Sequence, residues 1–165
     1  MYSFEFKRAQ SLDEAAQLLG DGGQLLAGGQ TMLASMKQRL MQPETLVDLQ
    51  ALSDLAGICE QGNAIVIGAM TRHQSVATDP LVTSKIPALA KLAGGIGDKQ
   101  VRAMGTLGGS VANNDPAACY PSAVLGLGAT VKTNKREIAA DEFFQGLYAT
   151  ALEPDELITS VSFPV

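Results

Sequence analysis

The stretch "LLAGGQTMLASMKQRL", Leu25 to Leu40, carries two grammars within sixteen residues. A short apolar run stops on Gly28-Gly29, and Met32, Leu33, Met36 and Leu40 then recur at helical spacing until Pro43 interrupts. A strand that ends on two glycines lets another group approach the main chain with no Cβ in the way. A helix starting near Thr31 would aim its unpaired N–H groups at the same place. Such a place suits an anion, phosphate above all, although a plain tight turn with Thr31 as an ordinary cap gives the same letters. No Gly-Lys-Ser/Thr follows, so this is not a Walker loop, and the third glycine of a G-x-G-x-x-G dinucleotide fingerprint is missing.

Outward from that turn, "SLDEAAQLLG" reads as a helix capped by Ser11 and stopped by Gly20, and "TLVDL" as a strand. The order helix, strand, helix, strand predicts a small parallel sheet with covering helices. Farther along, "GICEQGNAIVIGAM" reads as a hairpin turning at Gln61-Gly62-Asn63, and "ATVKTNKREIAA" as two strands turning at Asn134-Lys135. "SVATDPLV", "IPALAKLAGGIG" and "YPSAVLGLGA" read as helices and "ELITSVSFPV" as a closing strand, with a change of lobe between Leu52 and Ile58.

A second glycine cluster, "GTLGGSVANNDPA", places Gly105, Gly108 and Gly109 among Thr106, Ser110, Asn113 and Asn114, with almost no periodic signal. Asp115-Pro116 predicts a cap followed by the first helical residue. Gly28 and Gly108 stand 80 positions apart, and the two turns could close on opposite sides of one pyrophosphate, or be two unrelated loops.

Composition narrows the function. The 165 residues are 46% hydrophobic with a net charge of -5, enough apolar content for a sizeable core and no basic run for nucleic acid. The N-terminus has no leader pattern and no segment is apolar enough to span a bilayer, so the expectation is a soluble, cytoplasmic protein. Cys59 and Cys119 lie outside any C-x-x-C pair and read as reduced thiols. His73, the single histidine, has no G-x-S-x-G partner, which argues against a hydrolase. It reads as a surface or helix-start residue away from both glycine turns. Lys99 and Arg102 in "DKQVR" read as a solvated face rather than a phosphate site, and Met32, Met36 and Met41 as core filling. Tyr120 and Tyr148 could stack on a ring, with packing the plainer reading.

Taken in order, "LLAGGQTMLASMKQRL", "LVDL", "IGAMTRHQSVATDP", "KQVRAMGTLGGSVANNDPAA" and "EPDELITSVSFP" resemble the FAD-binding (medium) subunit of the molybdenum hydroxylases, as in bacterial xanthine dehydrogenase and aerobic carbon monoxide dehydrogenase. The paired A-G-G-Q-S/T and G-T-I/L-G-G-S/N motifs carry the resemblance from Tyr2 to Pro164. It implies an α+β, two-lobed FAD-binding fold of the vanillyl-alcohol-oxidase/PCMH type, with a small parallel β-α-β lobe (about residues 1–54) and a larger, mostly antiparallel sheet with helices (about 55–165). It further implies that Leu25, Leu26, Ala27, Gly28, Gly29, Gln30, Thr31 and Met32 wrap the FAD pyrophosphate and ribityl side. Ile96, Gly97 and Val101 would run along the cofactor, with Gly105, Thr106, Leu107, Gly108, Gly109 and Ser110 on the pyrophosphate's other side and Asn113 nearby. Leu157 and Ile158 would lie against a ring.

The resembling subunits take electrons from 2Fe-2S clusters on an iron–sulfur subunit beside a large molybdopterin subunit, in a dimer of heterotrimers, and pass them through FAD to an external acceptor. No catalytic acid or base and no metal ligand is implied in this chain. Two departures stand out. Cys119, in "DPAACYP", occupies the place where many relatives have a cofactor-contacting aspartate, which predicts weaker FAD retention, relieved by Cys119→Asp. The usual C-terminal domain does not follow "FP", which leaves a truncated, non-catalytic docking module that binds flavin weakly or not at all as the alternative. Valine at Gly28 or Gly109 is expected to expel the flavin and leave the chain folded.

Overall fold

Ser11 begins the first helix as expected. In the computed structural model, which describes residues 1–165, its hydroxyl accepts the Glu14 N–H at 3.1 Å, and the Glu14 carboxylate accepts the Gln10 N–H at 2.7 Å. The N-terminal elements are β1 (Glu5–Arg8), α1 (Leu12–Gly20), β2 (Gln24–Leu26), α2 (Met32–Lys37) and β3 (Thr45–Asp48). The strands form an all-parallel sheet in the order β1-β3-β2. β1 was not anticipated: Phe6 faces solvent at 51% exposure, so the segment lacks the buried alternation that marks a strand. Helix α2 ends three residues before Leu40, because the chain turns left-handed at Arg39 (φ 61°) and Leu40 is left 79% exposed.

The remaining elements are β4 (Ile58–Gln61), β5 (Ala64–Gly68), α3 (His73–Thr78), α4 (Pro80–Lys85), α5 (Pro87–Gly94), α6 (Lys99–Met104), α7 (Leu107–Asn113), α8 (Cys119–Gly126), β6 (Thr130–Thr133), β7 (Glu137–Ala139), α9 (Ala140–Phe143), β8 (Phe144–Gly146), β9 (Ala149–Thr150) and β10 (Ile158–Pro164). Five strands make an antiparallel sheet, β4-β5-β10-β6-β7, and β8-β9 is a separate small hairpin. The α+β class with a small parallel and a larger antiparallel sheet is therefore as expected.

Strand β10 is central, and its alternation decides which face is covered. Val161 pairs with both Ile67 and Val131, and Phe163 with Ile65; all five are fully buried in a core of 22 residues under the helices. Each large side chain so buried contributes about 1.5–3 kcal/mol. Ser160 and Ser162 point to the opposite, uncovered face, as the two-residue period requires. A smaller core of seven residues lies under the parallel sheet, and Leu157, at the entry to β10, completes it.

Three helical expectations needed correction. "SVATDPLV" is two helices, because Asp79 ends α3 and caps α4, its carboxylate accepting the Leu81 N–H at 2.9 Å ahead of Pro80. Asp115-Pro116 does not start a helix: the Asp115 carboxylate closes a local turn onto the Ala117 N–H at 2.9 Å, and α8 begins at Cys119. The second glycine cluster is itself helical, as α7, and Gly108 and Gly109 hide it by carrying no side chains with which to show a period.

Candidate functional site

The two glycine turns meet. A Cβ on Gly28 would overlap the carbonyl oxygen of Met104 and fall 2.6 Å from the Gly105 Cα, so only a glycine allows the two backbones to cross there. Around the crossing lies a cavity of about 650 Å³. Leu25 to Met32 form one wall; Ile96, Val101, Gly105, Thr106, Gly109, Ser110 and Asn113 form the other. The fold thus brings fifteen of the expected residues together, counting the eight from Leu25 to Met32 and these seven.

The first turn is built to receive an anion. The amide N–H groups of Ala27, Gly28, Gly29, Gln30 and Thr31 donate to no other main-chain carbonyl. Four of their five carbonyls, by contrast, are engaged: Gln50 donates to Ala27 O at 3.4 Å, Gln30 to Gly28 O at 3.1 Å, Leu33 N–H to Gly29 O at 3.0 Å and Ser35 N–H to Thr31 O at 3.1 Å. Gly29, at φ 69°, supplies the left-handed residue that an anion-binding nest of successive amides requires. Thr31 makes no side-chain cap, and α2 has only six residues, so the loop amides rather than a long helix dipole supply the positive potential.

The second turn works differently from the expected matching nest. Leu107 and Gly108 N–H groups donate to Thr71 O (3.0 Å) and Ala69 O (2.8 Å), and Gly109 N–H to the Thr106 hydroxyl (3.3 Å). A Cβ on Gly108 would collide with Ala69, and one on Gly105 with the His73 ring. Both of these glycines serve packing; Gly108 is absent from the cavity lining, whereas Gly105 and Gly109 are both part of it, and of those two only Gly109 leaves room for a Cβ. Leu107 is fully buried in the larger core.

No Lys or Arg lines the cavity, and Asp115 is its single carboxylate. Arg102 instead clamps the neighbouring turn, donating to Ile96 O at 3.0 Å and Gly97 O at 3.2 Å, where Gly97 adopts φ 45°. Gly97 and Cys119 are absent from the lining; Cys119 is exposed at the start of α8. The acidic residue that lines the cavity is four residues earlier, at Asp115 in the turn before α8.

His73 belongs to this site, against expectation. It starts α3 but is only 5% exposed, its N–H donates to Gly105 O at 2.9 Å, and its ring packs 5.2 Å from that of Tyr120. Burial lowers its pKa to about 4, so it is neutral at physiological pH. Its Nδ1 and the Tyr120 hydroxyl have no hydrogen-bond partner, and burial pushes the Tyr120 pKa upward. The structure also separates the two tyrosines: Tyr120 packs in the core, whereas Tyr148 lines the cavity. Among the methionines Met36 is core, and Met32 and Met41 line the cavity.

Leu157 and Ile158 line a second, more apolar space of about 360 Å³, which shares Leu25, Ala27, Met32, Met41, Gly109 and Asn113 with the first. The loop before them is pinned through Glu156, which accepts from Arg136 Nε (3.0 Å) and Nη2 (2.9 Å) and from the Thr133 hydroxyl (2.7 Å). Arg136 is the chief reason the Glu156 pKa falls to about 2. A third, polar concavity of about 570 Å³ lies on the uncovered face of the large sheet and contains none of the expected cofactor residues.

Residues 2–165 match the family described as the FAD binding domain in molybdopterin dehydrogenase. The chain belongs to this family. It is 41% identical to the carbon monoxide dehydrogenase medium chain of Afipia carboxidovorans, over 99% of this chain and 59% of that one. It is 36% identical to the glyceraldehyde dehydrogenase medium chain of Sulfolobus acidocaldarius, over 98% of this chain and 60% of that one. Among solved structures, carbon monoxide dehydrogenase from Hydrogenophaga pseudoflava superposes with a TM-score of 0.96 at 38% identity, covering 99% of this chain and 60% of that one. The chain therefore spans about 60% of the length of the relatives it matches. As an FAD-binding domain of this family, it has a donor-rich loop and a partly apolar cavity that suit the two ends of a dinucleotide's character, anionic and planar.

Proposed function

We propose that this chain is the FAD-binding part of an electron-transfer subunit in a molybdenum-containing hydroxylase or dehydrogenase. It would receive electrons from the 2Fe-2S clusters of a partner subunit and deliver them to an external acceptor. The observation that carries the cofactor assignment is the row of five unpaired amides from Ala27 to Thr31 over a cavity with no cation. FAD, when bound, supplies redox chemistry that passes between single electrons and electron pairs.

The chain's own contribution is binding, orientation and exclusion of water. Loop amides neutralise the pyrophosphate without a mobile side chain, so little reorganisation accompanies a change of charge nearby. Gly109 and Thr106 hold the opposite wall at a fixed distance, because their helix is locked to Ala69 and Thr71 by main-chain bonds. Leu157 and Ile158 keep the adjoining space dry, with Arg136 and Glu156 fixing the loop that presents them. Lobes over about 1–54 and 55–165, joined at the Gly28 crossing, form the two walls. An iron–sulfur subunit and a large molybdopterin subunit, paired as a dimer of heterotrimers in the cytoplasm, complete the proposed assembly.

Titration of the purified 165-residue chain with FAD tests the reading. Binding with a rise in melting temperature is expected, since a ligand held by the folded state stabilises by RT ln(1 + [L]/Kd). A protein that stays colourless and unshifted at saturating FAD would leave only the docking role.

A further inference from the structure

Tyr148 is the only Phe, Tyr or Trp side chain that lines the main cavity, and it stands 62% exposed at its rim. It occupies the tip of the β8-β9 hairpin at φ 55°, a left-handed conformation that a bulky residue keeps only when its surroundings hold it there. Asn114 does the holding. Its Nδ2 donates to Gly146 O at 2.7 Å and Ala149 O at 2.8 Å, on either side of Leu147-Tyr148, while its carbonyl accepts the Tyr148 N–H at 3.2 Å. Asn114 is itself left-handed (φ 43°), 7% exposed, and caps α7, the helix that carries Gly108 and Gly109. The strap thus ties the ring to the same helix that forms the cavity wall. Nothing in the protein's core gains from this arrangement, since the ring is mostly in solvent. The charge of Asp115, beside it on the rim, raises the Tyr148 pKa and keeps the phenol neutral.

We propose that Tyr148 is a ring-stacking residue, positioned by Asn114, that closes the cavity mouth against a planar heterocycle of the bound dinucleotide. The inference rests on the FAD reading above and adds a residue to it. An aromatic face covering a base or flavin is sequence-tolerant, low in rotamer entropy, and removes from water a ring that is otherwise exposed on both partners.

The test compares Tyr148→Ala, Tyr148→Gly, Tyr148→Phe and Asn114→Ala in the 165-residue chain. Tyr148→Ala should weaken FAD about tenfold, by the usual weight of one aromatic–base stack, and Tyr148→Phe should stay within about twofold. If the ring lies on the isoalloxazine, Tyr148→Ala also raises bound-flavin fluorescence; if it lies on adenine, ADP affinity falls in step and the emission is unchanged. Tyr148→Gly should bind FAD as poorly as Tyr148→Ala yet melt higher than wild type without ligand, because the left-handed strain is relieved. A merely structural tyrosine would lower both. Asn114→Ala should reproduce the loss of affinity, and Tyr148→Gly keeps the question decidable if that variant misfolds. Wild-type affinity, fluorescence and ADP binding in Tyr148→Ala and Tyr148→Gly overturn the proposal alone; a wild-type chain that binds no FAD overturns the functional reading as well.

Discussion

Replacing Gly28 with alanine asks whether that glycine serves the ligand or the fold. The added Cβ would overlap the Met104 carbonyl oxygen and sit 2.6 Å from the Gly105 Cα, and both neighbours are main-chain atoms that no rotamer can move aside. The crossing must therefore open. Overpacking of this kind costs about 1–3 kcal/mol. For a domain of this size each kcal/mol shifts the melting temperature by about 2–4 °C, so the ligand-free Gly28→Ala chain should melt roughly 2–12 °C lower than wild type. Gly109→Ala provides the control: its Cβ would meet only the Thr106 hydroxyl at 3.0 Å and the Ala27 Cβ at 3.6 Å, on the cavity side. That variant should lose less than about 1 kcal/mol of intrinsic stability. Its FAD-induced shift should shrink well below the roughly 5–11 °C expected of wild type at a hundredfold excess over Kd. Differential scanning fluorimetry of both proteins, with and without FAD, reads all four numbers. Ligand-free Gly28→Ala melting at the wild-type temperature would refute the crossing argument and return Gly28 to a purely ligand-facing role. Valine at Gly28, expected from sequence to leave the chain folded, should for the same steric reason destabilise the fold itself.

Two other outcomes follow from the site. His73 has a folded pKa of about 4 against 6.5, so the unfolded chain takes up its proton first on acidification. Its contribution is whole above about pH 6.5 and is lost as the pH falls towards 4; His73→Phe should flatten that part of a melting-temperature profile, and an unchanged profile would count against burial as the cause. Glu156 acts lower, its share being lost only below about pH 4.5 and down to about 2, so the two legs are separable. Cys119→Asp, expected from the motif comparison to tighten FAD, should instead leave affinity within about twofold, because the side chain lies outside the cavity; a fivefold gain by titration would restore the sequence-based view.

Several parts of the site were legible because local chemistry wrote them. Gly28-Gly29 ahead of an amphipathic run marks a turn with free amides whatever surrounds it, and the alternation in β5 and β10 marks a half-covered sheet. His73 was misjudged because 32 residues separate it from Gly105, and no periodic signal reports that its N–H bonds to that carbonyl. Asp115 was missed as a lining residue, and Tyr148 could not be told from Tyr120 as a ring-stacking candidate, for a related reason: Asp115 and Tyr148 each sit in a loop, and loops carry no period to reveal which way they face.

By itself, then, the sequence determined the element types where a period of two or 3.6 was sustained, the two glycine turns, and the family to which they belong. Only the tertiary structure decided what each glycine is for. Gly28 and Gly105 are demanded by contacts between segments far apart in the chain, and Gly108 by its seat on Ala69. Gly29 is demanded by its own left-handed backbone, and Gly109 opens to the cavity. A glycine has no side chain through which a sequence can announce its partner, so its role becomes visible only when the atoms that would strike its missing Cβ are in place.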